Sequence, residues 1–163
     1  MRHVPSVSLV AAFGVVLASG CGGQDPPPFK PVANIVELMQ NVVDPAADVV
    51  WGSVGTIITE EGTHEFYPRN DEEWQLVINA AMTLTESGNL LMIGERAVDD
   101  ARWMELSRDL VDAGVIALEA ARSKDKERIF MIGGEVYAAC DNCHSIYWVG
   151  DLARGKAFAD SPP

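Results

Sequence analysis

Residues 129–147 read Ile-Phe-Met-Ile-Gly-Gly-Glu-Val-Tyr-Ala-Ala-Cys-Asp-Asn-Cys-His-Ser-Ile-Tyr, and two patterns in that stretch set the expected fold. The first is a period. Ile129, Ile132, Val136, Cys140, Cys143 and Tyr147 follow one another at steps of 3, 4, 4, 3 and 4, the apolar stripe of one helix. The second is Cys140-Asp141-Asn142-Cys143-His144, two cysteines three apart followed at once by histidine, which is the attachment signature of c-type haem. The spacing has a mechanical reason: i and i+3 share a helix face, so both sulfurs reach the vinyl groups on one edge of a porphyrin, and the adjacent imidazole serves as proximal iron ligand. Half a zinc site or a thioredoxin-like redox pair are the rival readings. Zinc needs two further ligands, for which Cys21, His3 and His64 are poorly placed, and a redox pair needs a βαβ context that the chain lacks.

The bulk composition fits this reading. The 163 residues suit one domain plus a leader, and 48% hydrophobic content supports a real core. Twelve basic against 24 acidic residues give a net charge of −12, which argues against nucleic acid as a partner and favours either encounter with a positively charged partner patch or simply solubility. With two cysteines committed to haem, Cys21 alone remains, so no disulfide framework exists.

Residues 1–21 form an export signal: Arg2 at the start, an apolar run from Leu9 to Leu17, then Ala18-Ser19-Gly20-Cys21. Its end resembles a bacterial lipoprotein signal, in which Cys21 is lipidated and anchors the mature chain to a membrane. Alanine stands at position 18, where leucine is usual, and leucine falls one place earlier at Leu17. Ordinary cleavage after a small residue is the alternative. Residues 22–30 are a Gly/Pro-rich tether. The expected location is the periplasmic or cell-envelope side.

From residue 31 onward four amphipathic segments follow. The first carries Val32, Ile35, Leu38 or Met39, and Val42, with Asp44-Pro45 as a kink before a continuation to Trp51. Residues 56–70 read either as a small hairpin or as a helix extension with a loop. Asn70 or Asp71 caps the second helix, Trp74, Val77 or Ile78, Ala81 and Leu84 form its stripe, and Gly88 is its natural stop, with Gly94 the outer limit. The third helix runs from about Val98 to Arg122. Ser123 caps the fourth. The expected fold is all-α: an antiparallel four-helix bundle over residues 31–150 with covalent haem on the C-terminal helix, followed by a tail over 151–163.

This arrangement resembles the class II c-type cytochromes, the cytochrome c prime family with its low-spin methionine-ligated relatives. The likeness rests on Cys140, Cys143, His144 and on Tyr147, an aromatic three residues after the histidine. A basic residue commonly follows that aromatic; here it is Trp148. The resemblance implies an exported monohaem carrier, not an enzyme, holding one haem c, exchanging electrons with a redox partner protein and able to form a homodimer. It implies haem attachment outside the cytoplasmic membrane. It also implies a sixth iron position either filled by methionine from the first helix, here Met39, or left open to small gases such as nitric oxide. Met92 and Met104 fall at the same expected level as Met39; Met82 lies about six residues, roughly 9 Å, from it. Each methionine has an alternative as plain core. His64 becomes a ligand only if its loop folds over the haem. Trp51, Trp74, Trp103 and Trp148 read as haem shield or core, and Glu60-Glu61 and Asp99-Asp100 as solvated surface.

Overall fold

The computed structural model describes residues 29–99 and 101–147. The expected export signal with Cys21, most of the expected tether, Asp100, Trp148 and the expected tail lie outside those residues.

The first helical element starts on a capping box. Asn34 accepts from the Glu37 amide at 2.9 Å, and the Glu37 carboxylate accepts from the Asn34 amide at 3.0 Å. Helix α1 (Ile35–Leu38) then widens into one π-turn, Met39–Val43, before α2 (Asp44–Trp51). The widening has a visible cause. Pro45 has no amide proton, and its ring crowds the carbonyl one turn back. The chain absorbs this with an i→i−5 bond from the Asp44 amide to the Met39 carbonyl. The helix therefore passes through Pro45, and its buried stripe jumps five residues, from Leu38 to Val43.

Strands β1 (Gly55–Thr59) and β2 (Gly62–Phe66) pair antiparallel, with Gly55 opposite Phe66 and Ile57 opposite His64. The β-branched run Thr56-Ile57-Ile58-Thr59 favours extended backbone, and Gly62 closes the turn at φ +139°, a conformation open to glycine. This hairpin corrects the expectation of an all-α four-helix bundle. Further, the composite first helix packs on the next long helix but meets the last one only lightly, so the fourth side of such a bundle is a gap rather than a packed seam.

Three long helices make the body: α3 (Asp71–Leu91), α4 (Arg102–Arg122) and α5 (Lys126–Tyr147). Asn70 caps α3, accepting from the Glu73 amide at 2.9 Å. Gly88 does not stop it. A Cβ there would lie 2.7 Å from the Ser107 carbonyl and 2.6 Å from Val111 Cγ2, and one at Gly114 would lie 2.6 Å from Thr85 Oγ1; these glycines let α3 and α4 approach closely. The left-handed residue beyond the end of α3 is Gly94, at φ +58°, which begins a single 3₁₀ turn, Gly94–Arg96. Helix α4 starts later than expected because Asp99 accepts the Ala101 and Trp103 amides, each at 3.0 Å. Ser123 ends α4 instead of starting α5, its hydroxyl donating to the Ala120 carbonyl at 2.9 Å. The α5 cap is Asp125, which accepts from the Arg128 amide at 2.9 Å.

The main core gathers Leu38, Val50, Ala81, Leu84, Trp103, Ala117 and Val136 from every helical layer; a smaller one gathers Trp74, Val77, Ala121 and Ile129 near the hairpin. Trp74 and Trp103 are thus core, as one of their two expected readings had it. Among the described residues no helix is long and apolar enough to cross a membrane.

Candidate haem site between the first and last helices

The gap between the composite first helix and α5 is a cavity of about 380 Å³, within the range of ligand sites. Met39, Gln40, Val43, Asp44, Ala47 and Trp51 form one wall. Tyr137, Ala139, Cys140, Asp141, Cys143 and His144 of α5 form the other, over a floor of Leu91, Leu106 and Leu110. Two further depressions, about 280 and 490 Å³, flank the hairpin and contain none of the motif residues.

Helical spacing alone puts Cys140, Cys143 and His144 on the cavity side of α5. Val136 and Ala139, one turn before the cysteines on α5, are buried, whereas both cysteines and the histidine are half-buried. Their stripe leads out of the core into the cavity. Burial pushes both thiols up: Cys140 with a further push from Asp44, and Cys143 to about 11 with a further push from Cys140. Burial also lowers His144, against the opposing pull of Asp141 and Asp44. Burial therefore favours the protonated form of both thiols and the neutral form of the imidazole.

The helix end carrying His144 is fixed from behind. Tyr147 donates a short hydrogen bond to the Asp99 carboxylate, and its ring meets Trp103 edge-on at 4.9 Å and 81°. The Trp103 indole donates to the Leu91 carbonyl at 2.8 Å. Tyr147 thus faces the α3–α4 connection and does not line the cavity. Asp99 is half-buried and fully engaged, unlike the solvated residue expected from the sequence. Its hydrogen bond from Tyr147, followed by that from the Trp103 amide, holds its carboxyl below the usual range.

The first helix is held at both ends. At its start the buried Arg96 guanidinium donates to the Ala33 carbonyl at 3.0 and 3.1 Å and to the Leu90 carbonyl at 3.3 Å. At its finish the Trp51 indole donates to the Gly133 carbonyl of α5 at 2.9 Å.

Of the methionines considered as ligands, Met39 lines the cavity with the cysteines and His144; Met92 and Met104 are half-buried without lining it, and Met82 is exposed. Met131 belongs to the depression at the hairpin. His64 is exposed on β2, away from the site. Sequence reasoning did not single out Gln40, Tyr137 or the roles of Asp44 and Trp51. The π-turn leaves no clear sequence signal, because Met39 and Val42 fill the apolar stripe between Leu38 and Val43. The Trp51–Gly133 contact spans 82 positions and leaves no local trace.

The donor set fits haem: two thiols, an imidazole and a thioether line one largely apolar cavity. No protein-family model matches the chain, and no curated protein or solved structure matches it either.

Proposed function

We propose that this protein binds one haem covalently and carries electrons. Cys140 and Cys143 would hold the porphyrin as thioethers, each S–H adding across one vinyl group. His144 would supply the proximal nitrogen and Met39 the sixth ligand. The haem iron would contribute a one-electron ferric–ferrous couple. The observation that carries the reading is that Cys140, Cys143, His144 and Met39, from opposite ends of the chain, line the same cavity.

The remaining residues do recognisable work for such a group. Leu91, Leu106 and Leu110 keep water from one side of the site, and a low dielectric there raises the potential of iron whose oxidised form carries more charge. Tyr147, Asp99 and Trp103 hold the His144 end of α5 in place. The resemblance to class II c-type cytochromes belongs to this proposal and rests on the motif residues. Export, a lipid on Cys21, the redox partner and self-association belong to it too.

The test is expression in a host that attaches c-type haem. Wild type should retain haem after denaturing electrophoresis, and Cys140→Ala/Cys143→Ala should lose it. The ferric spectrum should show a weak far-red methionine-to-iron band that Met39→Ala removes. Haem retained by the double variant would overturn covalent attachment. A high-spin spectrum unaltered by Met39→Ala would replace the carrier with an open-site, gas-binding protein.

A further inference from the structure

The wall that carries Met39 is one continuous helical element, Ile35 to Trp51, and it touches α5 only lightly. What joins its far end to α5 is specific. Trp51 Nε1 donates to the Gly133 carbonyl at 2.9 Å, and an added Cβ at Gly133 would sit 3.4 Å from Trp51 Cδ1. That is ordinary van der Waals contact, so the link rests on the hydrogen bond and not on the missing side chain. At the near end Arg96 clasps the Ala33 carbonyl. Between the two ends lies the π-turn, the least tightly wound part of the wall, on the cavity. The wall rests on α3 through both α2 and the π-turn, so its light contact with α5 is the side that can part, and the Trp51–Gly133 bond crosses that side.

From this geometry we infer that Trp51 is a positioning residue that latches the cavity shut: its bond to Gly133 holds α2 against α5 and thereby sets how readily an added ligand reaches the sixth iron position. The inference rests on the proposed haem site. Trp51 touches no iron and acts through the wall that bears Met39. Arg96 is the weaker choice of latch because its three bonds tie the wall to the α3 end and not to the helix bearing the cysteines. Releasing Trp51 from Gly133 lets the α2 end part from α5 while α2 keeps its packing on α3. The fraction of open molecules then rises by the equilibrium factor that one net hydrogen bond carries, roughly fivefold.

The experiment uses the holoprotein and is read per attached haem. Ferric wild type, Trp51→Phe and Gly133→Ala are titrated with imidazole, and the reduction potential of each is recorded. Trp51→Phe keeps a ring but has no indole N–H; it should bind imidazole roughly fivefold tighter than wild type and shift in potential. Gly133→Ala touches the same contact and leaves the carbonyl and indole N–H in place; it should stay within about twofold of wild type, since ordinary van der Waals contact costs little. Equal imidazole affinity in Trp51→Phe and wild type would overturn the latch and leave the haem site standing. Equal loosening in both variants would also overturn it, since packing and not the hydrogen bond would then be responsible. Wild type without covalent haem would overturn the site, and the latch with it.

Discussion

Two glycine-to-alanine changes in this protein should move stability in opposite directions, and the structure supplies both signs. Gly114 of α4 and Gly134 of α5 each sit inside a long helix, so alanine at either gains about 0.8–1 kcal/mol of intrinsic helix preference. At Gly134 nothing lies within 4 Å of the added carbon, and the gain should appear nearly whole. At Gly114 the same carbon would meet Thr85 Oγ1 at 2.6 Å, Thr85 Cα at 2.8 Å and Thr85 N at 2.9 Å. These are up to about 1 Å short of ordinary contact. Two of the three atoms are backbone, so a rotamer change cannot relieve them, and α3 and α4 must part. Overpacking of this kind costs about 1–3 kcal/mol. Taking the upper end and subtracting the helix gain leaves a net loss of about 2 kcal/mol. In a chain of this size that is roughly 4–8 °C of melting temperature, against a rise of about 2–4 °C for Gly134→Ala. Urea titrations followed by circular dichroism should give matching shifts in midpoint with an unchanged slope. A midpoint that rises in Gly114→Ala as it does in Gly134→Ala would refute the close α3–α4 approach.

Arg96→Met should cost about 1–3 kcal/mol in the same titration, because it strands the Ala33 carbonyl while the Leu90 carbonyl keeps the Ile93 amide at 3.4 Å; a loss below about 1 kcal/mol would mean that water replaces the guanidinium at no cost. The Tyr147 phenol, pushed up to about 12 by burial and then by Asp99, should show as a late step in an ultraviolet alkaline titration that Tyr147→Phe removes. Its folded value lies above the unfolded value of about 10, so its contribution to stability is full below pH 10 and disappears as pH rises through 12. For Asp99 the shift is downward, so its contribution holds above the unfolded value and is lost as pH falls through the lower folded one.

The chain announces the long helices clearly, through stripes at three- and four-residue steps and through Asn70. The grouping of Cys140, Cys143 and His144 on α5 is as legible, because they are neighbours in sequence and helical spacing alone aligns them. What it conceals is tertiary. Gly88 looks like a helix stop until α4 is seen lying against it. Thr56 to Thr59 read as either strand or helix, since β-branched residues that remain exposed give no burial pattern to decide between them. Asp99 looks like a solvated charge until Tyr147 arrives from 48 positions away. The π-turn is concealed because a helix that absorbs an extra residue keeps an apolar stripe, merely shifted.

The two ends of the first helix are tied across 63 and 82 positions, while α4 passes to α5 through a turn of three residues, 123–125. Closing a loop costs chain entropy that grows with its length, so the local pairs α3–α4 and α4–α5 can collapse before the first helix docks. The cavity is then the last part of the body to be enclosed. A flat cofactor would meet a preformed trough bearing Cys140, Cys143 and His144, with the fourth side still open. Pulse-labelled hydrogen exchange during refolding would contradict that order if the amides of 35–51 gained protection together with those of α3, α4 and α5. On this order, assembly needs no passage through a closed protein, because the Met39 wall arrives afterwards.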